Sequence, residues 1–247
     1  KGGVGKTTTC INLAACVAAK GKRVLAVDID PQGNMTSGLG VRLGRQQPTT
    51  YEVLINERPA EKAVVRSSVR GLSLLPADIR LAGAELELAE LPQREHTLRQ
   101  ALAPVADAYD FVLIDCPPSL TLLTLNALTA SHSVLIPIQC EYYALEGVGA
   151  LMNTISLVKR NLNPALEIEG VALTMLDART NLGLQVVAEV KKHFMGKVYA
   201  TIVPRNVRLS EAPSHGQPIH IYDSRSAGSE AYEALAAEFI KRNEEKL

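Results

Sequence analysis

The stretch that decides the fold opens the chain: Lys-Gly-Gly-Val-Gly-Lys-Thr-Thr at residues 1–8, followed by an apolar helical pattern. Glycines let a backbone curl around phosphate oxygens, because they have no side chain and adopt left-handed conformations readily. A helix that begins at the end of such a loop directs its free amides and its positive dipole end at the anion. The spacing therefore predicts a loop that binds the phosphates of a nucleoside triphosphate.

The residue types of this loop predict separate roles. Lys6 is expected to reach the β- and γ-phosphates, the Thr7 hydroxyl to ligate Mg²⁺, and Thr8 to donate to the α-phosphate. Contacts to the nucleotide are also expected from the rest of the loop, which comprises Gly2, Gly3, Val4 and Gly5.

A loop of this kind follows a β-strand that aims its backbone amides at the ligand. Residue 1 already lies inside the motif, so the 247 residues hold no such strand. We therefore expect a single domain, 1–247, that lacks its first strand, and we interpret the sequence as a fragment.

Strand-like and helix-like patterns alternate along the chain. The strands expected at 23–30 and 110–115 are too apolar to have a solvated face, which is typical of parallel strands buried on both sides. Further strands are expected at 72–75, 133–138, 168–175 and 198–203, helices at 7–20, 81–91, 95–106, 122–130, 145–162, 184–194 and 228–242, and a loop at 32–50. This order predicts an α/β fold with a doubly wound, mostly parallel sheet and helices on both faces.

Composition narrows the function. The formal net charge is +0, so a nucleic-acid partner would have to meet a local basic patch. No apolar run approaches the roughly 18 residues that a membrane span needs. The cysteines have neither Cys-x-x-Cys nor zinc spacing and are expected to be buried thiols in a reducing cytosol; they are Cys10, Cys16, Cys116 and Cys140. An alternative in which Cys116 ligates a cluster shared by two subunits stays open.

Acidic residues follow the two most apolar strands. Ligands of doubly wound sheets bind beyond the carboxyl ends of the strands. Asp115 follows Phe-Val-Leu-Ile, the pattern of a carboxylate that holds a magnesium-bound water. Asp30 is expected to end its strand and to orient the attacking water. Asp28 shares a strand face with Asp30, either as part of the site or as a polar strand end.

These residues together resemble a known family. The motif at 1–8 resembles the deviant Walker A motif, whose additional lysine corresponds to Lys1. Further blocks resemble ParA/Soj partition ATPases along essentially the whole chain: Val-Asp-Ile-Asp-Pro-Gln-Gly-Asn (27–34), Ile-Asp-Cys-Pro-Pro-Ser-Leu (114–120), Pro-Ile-Gln-Cys-Glu-Tyr-Tyr-Ala-Leu-Glu-Gly (137–147), Thr-Met-Leu-Asp-Ala-Arg-Thr-Asn (174–181) and Val-Pro-Arg-Asn-Val-Arg-Leu-Ser-Glu-Ala-Pro-Ser-His-Gly (203–216).

The resemblance implies an Mg²⁺-dependent ATPase that forms an ATP-sandwich homodimer. Lys1 would reach the partner's nucleotide and act in catalysis together with Lys6, Asp30 and Asp115. Pro204 and Asn206 match positions that bracket the adenine.

The resemblance also implies partners. Members of the family bind double-stranded DNA without sequence preference, and Arg179 and Arg208 match their DNA-binding arginines. A ParB-type centromere-binding protein stimulates hydrolysis. The expected location is the cytoplasm, in association with the nucleoid.

Other classes of ATPase need features that are weak or absent in this sequence. A membrane-cycling ATPase of the MinD type needs a basic amphipathic C-terminal helix, whereas Leu235 and Phe239 are followed by Glu244 and Glu245. We expect that helix to pack against the domain. A metallochaperone ATPase needs paired cysteines. A bacterial tyrosine kinase needs a C-terminal tyrosine cluster, and only Tyr232 lies in the last helix.

Overall fold

The computed structural model describes residues 2–44, 46–141, 146–177 and 180–245, without the side chains of residues 146 and 147. Two predicted site residues, Lys1 and Arg179, lie outside the described residues.

Helices and strands alternate from the first helix onward. The N-terminal part contains α1 Lys6–Ala19, β1 Val24–Asp28, α2 Asn34–Gly38, α3 Thr50–Ile55, α4 Ala60–Ala63, β2 Val65–Arg66, β3 Leu72–Leu75, α5 Leu81–Ala89, a 3₁₀ turn Arg94–His96, α6 Thr97–Ala106, β4 Phe111–Asp115 and α7 Leu122–Ala130. The C-terminal part contains β5 Ser133–Gln139, α8 Glu146–Asn161, β6 Glu167–Leu176, α9 Asn181–His193, β7 Val198–Pro204, α10 Val207–Glu211, a 3₁₀ turn Ala212–His215, α11 Ile219–Tyr222 and α12 Ala227–Glu244.

The strands form two sheets, in the orders β2-β3-β1-β4 and β5-β6-β7. The pairs β1–β3, β1–β4, β5–β6 and β6–β7 are parallel, and the short edge strand β2 is antiparallel to β3. Within the described ranges β4 pairs only with β1, and β5 pairs only with β6. The strand expected ahead of the phosphate loop stays a prediction, and it would have these two edges to pair with.

Alternate residues of β1 face opposite layers of helices. Val24 and Ala26 pack into a core with α1 and α12, whereas Leu25 and Val27 pack into a second core with α3, α5, α6 and α7. A third core joins β5–β7 to α8 and α9. The doubly wound α/β fold with helices on both faces is therefore confirmed.

The last helix packs against the domain, as its sequence predicts. Leu235 and Phe239 are buried in the core that α12 forms with α1. The Oη of Tyr232 is 3.1 Å from Oγ1 of Thr9, which joins the two helices at a buried point. In the part of the chain that the structure describes, no helix combines the length and the apolar character that crossing a membrane requires.

Two sequence expectations near β1 are wrong. The strand expected at 23–30 ends at Asp28, and the loop expected at 32–50 contains the short helix α2. The physical reason is the Asp28 carboxylate, which turns the backbone away from the sheet. It accepts hydrogen bonds from the backbone amides of Asp30 (3.1 Å) and Thr36 (2.8 Å).

The hydroxyl of Thr36 completes a buried polar network. It donates to Oδ2 of Asp28 at 2.7 Å and accepts from the backbone amide of Ala77 at 2.9 Å. Burial raises the pKa of Asp28 to about 6, even though the hydrogen bonds from Thr36 favour its charged form. This network joins the end of β1 to α2 and to the segment after β3.

We predict that Thr36→Val lowers the free energy of unfolding by about 1–3 kcal/mol, because the amide of Ala77 and one oxygen of Asp28 lose a buried partner. Thr36→Ser is the matched control, since it keeps the hydroxyl and removes one methyl group, worth about 0.8 kcal/mol. Denaturant unfolding measures both. Equal losses in the two variants would show that the hydroxyl does not support this network.

Candidate functional site

The phosphate loop ends in the first turn of α1. Gly5 is the N-cap of the helix, with a left-handed φ of 85° that an L side chain rarely adopts. Within the described chain, no side chain caps this end of α1, and its first turn contains no acidic residue. The first amides of a helix have no partner inside the helix. They are thus available to an anion at the loop.

A contact from a distant strand holds the loop in place. The Thr174 hydroxyl of β6 donates to the carbonyl oxygen of Val4 at 3.0 Å. A Cβ on Gly5 would lie 3.6 Å from the terminal methyl carbon of Met175. Sequence reasoning assigned no role to Thr174, because a contact across 170 residues has no local signal.

Lys6, Thr7 and Thr8 form the first turn of α1, beside the end of β4. Asp115 is the last residue of β4 and is only 2% exposed. Burial and the charge of Asp28 raise the pKa of Asp115 to about 7, while Thr7 and Lys6 favour its ionised form. The predicted grouping of Lys6, Thr7 and Asp115 is therefore present in the structure.

One oxygen of Asp115 has no partner among the described residues. Its Oδ2 atom is buried and accepts no hydrogen bond. Buried polar atoms are nearly always hydrogen-bonded in native proteins, and a carboxylate oxygen without a protein partner commonly binds water or a cation. Mg²⁺ prefers oxygen ligands and keeps several waters, so the Thr7 hydroxyl and the Asp115 carboxylate fit this ion.

The third carboxylate of the site belongs to Asp30, which is 6% exposed and lies two residues beyond β1. Its Oδ1 accepts the backbone amide of Gln32 at 3.0 Å. The charge of Asp30 raises the pKa of Asp115, so these carboxylates act on each other electrostatically. Asp28, by contrast, is satisfied by the Thr36 network and serves the loop that carries Asp30.

The predicted adenine-side residues lie at the end of the last strand and just beyond it. Pro204 ends β7, and Asn206 is the N-cap of α10, where its Oδ1 accepts the amide of Arg208 at 2.9 Å. The amide of Arg205 donates to the carbonyl of Leu176 at 3.1 Å, which ties this segment to the end of β6. The segment therefore starts beside the strand that holds the phosphate loop.

Arg208 is exposed but already has acidic partners. Its guanidinium lies 2.8 Å from Glu211 and 3.4 Å from Asp223. These contacts were not predicted from the sequence. A phosphate ligand would have to compete with both carboxylates for this side chain.

Cys16 and Cys140 are buried as expected, whereas Cys10 and Cys116 are partly exposed. Burial raises the pKa of Cys116 to about 12 and that of Cys140 to about 11, which keeps both protonated near neutral pH. Among the described residues, no group of three or more histidine, cysteine, aspartate or glutamate side chains is placed to hold a metal ion.

Comparison with known proteins agrees with this geometry. A family described as an AAA domain matches residues 1–168. The chain is 60% identical over 238 residues to the sporulation initiation inhibitor protein Soj of Bacillus subtilis, covering 96% of this chain and 94% of that protein. It is 55% identical to the chromosome partitioning protein ParA of Myxococcus xanthus, over 100% of this chain and 87% of the relative.

Solved structures share the fold. A cobyrinic acid a,c-diamide synthase from Mycobacterium smegmatis, crystallised with ADP and magnesium, is 38% identical with a TM-score of 0.87, over 100% of this chain and 93% of that one. The cell division ATPase MinD of Pyrococcus furiosus is 26% identical with a TM-score of 0.78, over 98% and 95%. With its phosphate loop, its doubly wound sheet and its full-length similarity to Soj and ParA proteins, the chain belongs to the ParA/Soj family of P-loop partition ATPases.

Proposed function

We propose that this protein binds Mg²⁺ and ATP at the phosphate loop and hydrolyses ATP to ADP and phosphate. The observation that carries the proposal is the uncapped first turn of α1 beside the buried, partly unsatisfied carboxylate of Asp115. An anion fits the amides, and a cation fits the carboxylate. The magnesium and ADP bound to the similar synthase support the same pairing.

The roles of the residues follow from their positions. The amides of the loop and of the first turn bind the phosphates, and Lys6 balances their charge. Thr7 and Asp115 would hold Mg²⁺, directly or through its water, and the ion would supply Lewis-acid stabilisation of charge on the phosphoryl oxygens. Asp30 would orient the attacking water, since its carboxylate lies in the loop beside this site.

The proposed dimer is an ATP sandwich in which Lys1 reaches the partner's nucleotide. Gly2 is consistent with a position at the interface, because a Cβ built there meets no described atom within 4 Å. The loop would present this open side to the second subunit.

The proposed partners are double-stranded DNA, bound without sequence preference through Arg179 and Arg208, and a ParB-type protein that stimulates hydrolysis. Full-length similarity to chromosome partitioning proteins supports this assignment. The location would then be the nucleoid within the cytoplasm.

For the nucleotide site, we predict that Lys6→Ala abolishes ATP binding, since the loop loses its cation. Asp30→Asn should bind ATP but hydrolyse it about 10²–10⁴-fold more slowly. Asparagine retains an oxygen that can accept the Gln32 amide, so the variant removes the charge of Asp30 but keeps the hydrogen bond that stabilises the loop. Steady-state phosphate release and equilibrium nucleotide binding measure the two effects, and a wild-type rate in Asp30→Asn would sink the assignment.

For the dimer, Gly2→Val should bind ATP yet remain monomeric, because the Cβ of the valine contacts no described residue of its own subunit, whereas the side chain would clash with the second subunit. Size-exclusion chromatography with and without ATP tests this. Gly44→Val is a control at another open glycine. ATP-dependent dimerisation of Gly2→Val at the wild-type level would contradict the interface.

For the metal site, binding of Mg·ADP should be about tenfold weaker at pH 6 than at pH 8. The sign follows from Asp115, whose pKa is raised to about 7. Below that pH the carboxyl must lose its proton before it can face a cation. Titration calorimetry in wild type and Asp115→Asn measures the effect. The variant should bind more weakly with a smaller pH dependence, and equal pH dependence in both proteins would count against Asp115.

For DNA, Arg179→Glu combined with Arg208→Glu should abolish binding while leaving ATP-dependent dimerisation intact. The control pair, Arg58→Glu with Arg99→Glu, makes the same change in net charge at two exposed arginines, one in the loop between α3 and α4 and one in α6. Filter binding at about 0.1 M salt reports the difference. Wild-type affinity in the first variant would show that DNA meets another surface.

A further inference from the structure

A basic cleft lies at the edge of the sheet, away from the phosphate loop. Its volume is about 470 Å³, within the range of roughly 300–1,000 Å³ that is usual for ligand-binding clefts. Three segments enclose it: the loop after α2, the edge strand β2 and the turn that precedes α11. The polar side chains that line it are Arg42, Gln47, Arg66, Ser68, His215 and Gln217.

The charge of this cleft is uncompensated. Arg42 and Arg66 are exposed, and in the described ranges neither belongs to an ion pair. Other arginines of the chain, such as Arg80 and Arg208, have carboxylate partners. The lining contains no aspartate or glutamate. Two unpaired guanidinium groups in one cleft of a protein with net charge +0 form a local site for an anion.

The floor of the cleft is fixed by two glycines whose backbones cross. A Cβ on Gly40 would lie 2.7 Å from the carbonyl oxygen of Gly216, and a Cβ on Gly216 would lie 2.7 Å from Cα of Gly40. Both residues have left-handed φ angles. The close contact sets the loop of Arg42 against the turn of His215, so the basic groups on the two segments have a defined separation.

The same turn connects the cleft to the segment of Arg208. The His215 ring stacks on Tyr222, with centroids 4.9 Å apart. The Tyr222 hydroxyl donates to Glu211 at 3.3 Å, and Glu211 pairs with Arg208. A ligand that extends from the cleft along this segment would therefore pass from Arg66 and Arg42 to Arg208. A DNA backbone is such a ligand, because it carries regularly spaced phosphates.

We propose that this cleft binds a phosphate of the DNA backbone through Arg42 and Arg66, as a second contact region beside Arg208. The proposal rests on the proposed DNA binding and adds residues that the sequence did not indicate. Each planar guanidinium group can donate two parallel hydrogen bonds to two oxygens of a phosphate. A cleft with two guanidinium groups therefore suits a phosphate. The contact is to the backbone alone, so it carries no sequence preference.

The test compares two double variants with the same charge. Arg42→Gln with Arg66→Gln removes both cationic groups and keeps much of the side-chain stems. Arg58→Gln with Arg99→Gln is the matched control, since both arginines are exposed and lie outside the cleft, Arg58 in the loop between α3 and α4 and Arg99 in α6. Thermal unfolding of each protein establishes that it is folded. Arg42→Lys with Arg66→Lys restores the charge without the planar fork.

Binding of a scrambled-sequence duplex is measured over a series of salt concentrations, with Mg²⁺ and a non-hydrolysable ATP analogue. The cleft variant should bind at least tenfold more weakly at about 0.1 M salt. Its log–log salt slope should be shallower by about 0.9 per cleft, because each cleft loses one phosphate contact. The control should stay within twofold of wild type, and the lysine variant should recover the slope more than the affinity.

Three results would overturn the proposal or its premise in distinguishable ways. Absence of DNA binding by the wild type would refute the DNA binding proposed above, on which the cleft assignment rests. Wild-type binding with equal slopes in the cleft variant and control would refute the cleft alone. The third result concerns inorganic pyrophosphate, tested with ADP-saturated protein. If the wild type binds it and the variant Arg42→Gln with Arg66→Gln does not, while both proteins bind DNA equally, the ligand is a free phosphate compound and the assignment to DNA is wrong.

Discussion

The parallel register of β1 and β4 brings Asp28 opposite Asp115, so two carboxylates lie buried at one edge of the sheet. Buried acids of like charge are costly unless hydrogen bonds, a cation or a proton compensates them. Asp28 is compensated inside the chain by Thr36 and by the amide of Asp30. Asp115 is compensated only in part, because Thr7 and Lys6 favour its charged form but its Oδ2 atom has no hydrogen-bond partner among the described residues.

The two carboxylates therefore have different roles, one in the fold and one in the proposed ligand site. The satisfied carboxylate of Asp28 fixes α2 and the turn that carries Asp30. The partly unsatisfied carboxylate of Asp115 lies beside the first turn of α1, whose free backbone amides can bind an anion. A divalent cation with a triphosphate supplies both missing charges at once. The unfavourable burial of the Asp115 carboxylate is therefore located where the proposed ligand would compensate it.

Local pattern was sufficient for the parts of the fold that depend on local chemistry. The loop at residues 1–8, the helix after it and the strand ending at Asp115 all follow from glycine spacing and apolar runs. The end of β1 was missed, because a hydrogen bond that the Thr36 hydroxyl donates to Asp28, eight residues away, decides where the backbone turns. Three other features depend on residues far apart in the chain, so the local sequence pattern did not indicate them. They are the contact of Thr174 with Val4, the ion pairs of Arg208 and the crossing of Gly40 with Gly216.

We propose that the phosphates of the nucleotide and the divalent cation meet between α1 and Asp115. The most direct measurement is a crystal structure with Mn²⁺ in place of Mg²⁺ and a non-hydrolysable ATP analogue, using anomalous scattering to locate the metal. We predict that the metal lies at about 2.0–2.2 Å from the Thr7 hydroxyl oxygen. Asp115 should bind it directly or through one of its waters, and the phosphates should lie on the amides of residues 3–8. Phosphates bound elsewhere, or a metal that contacts neither Thr7 nor Asp115, would contradict this proposal.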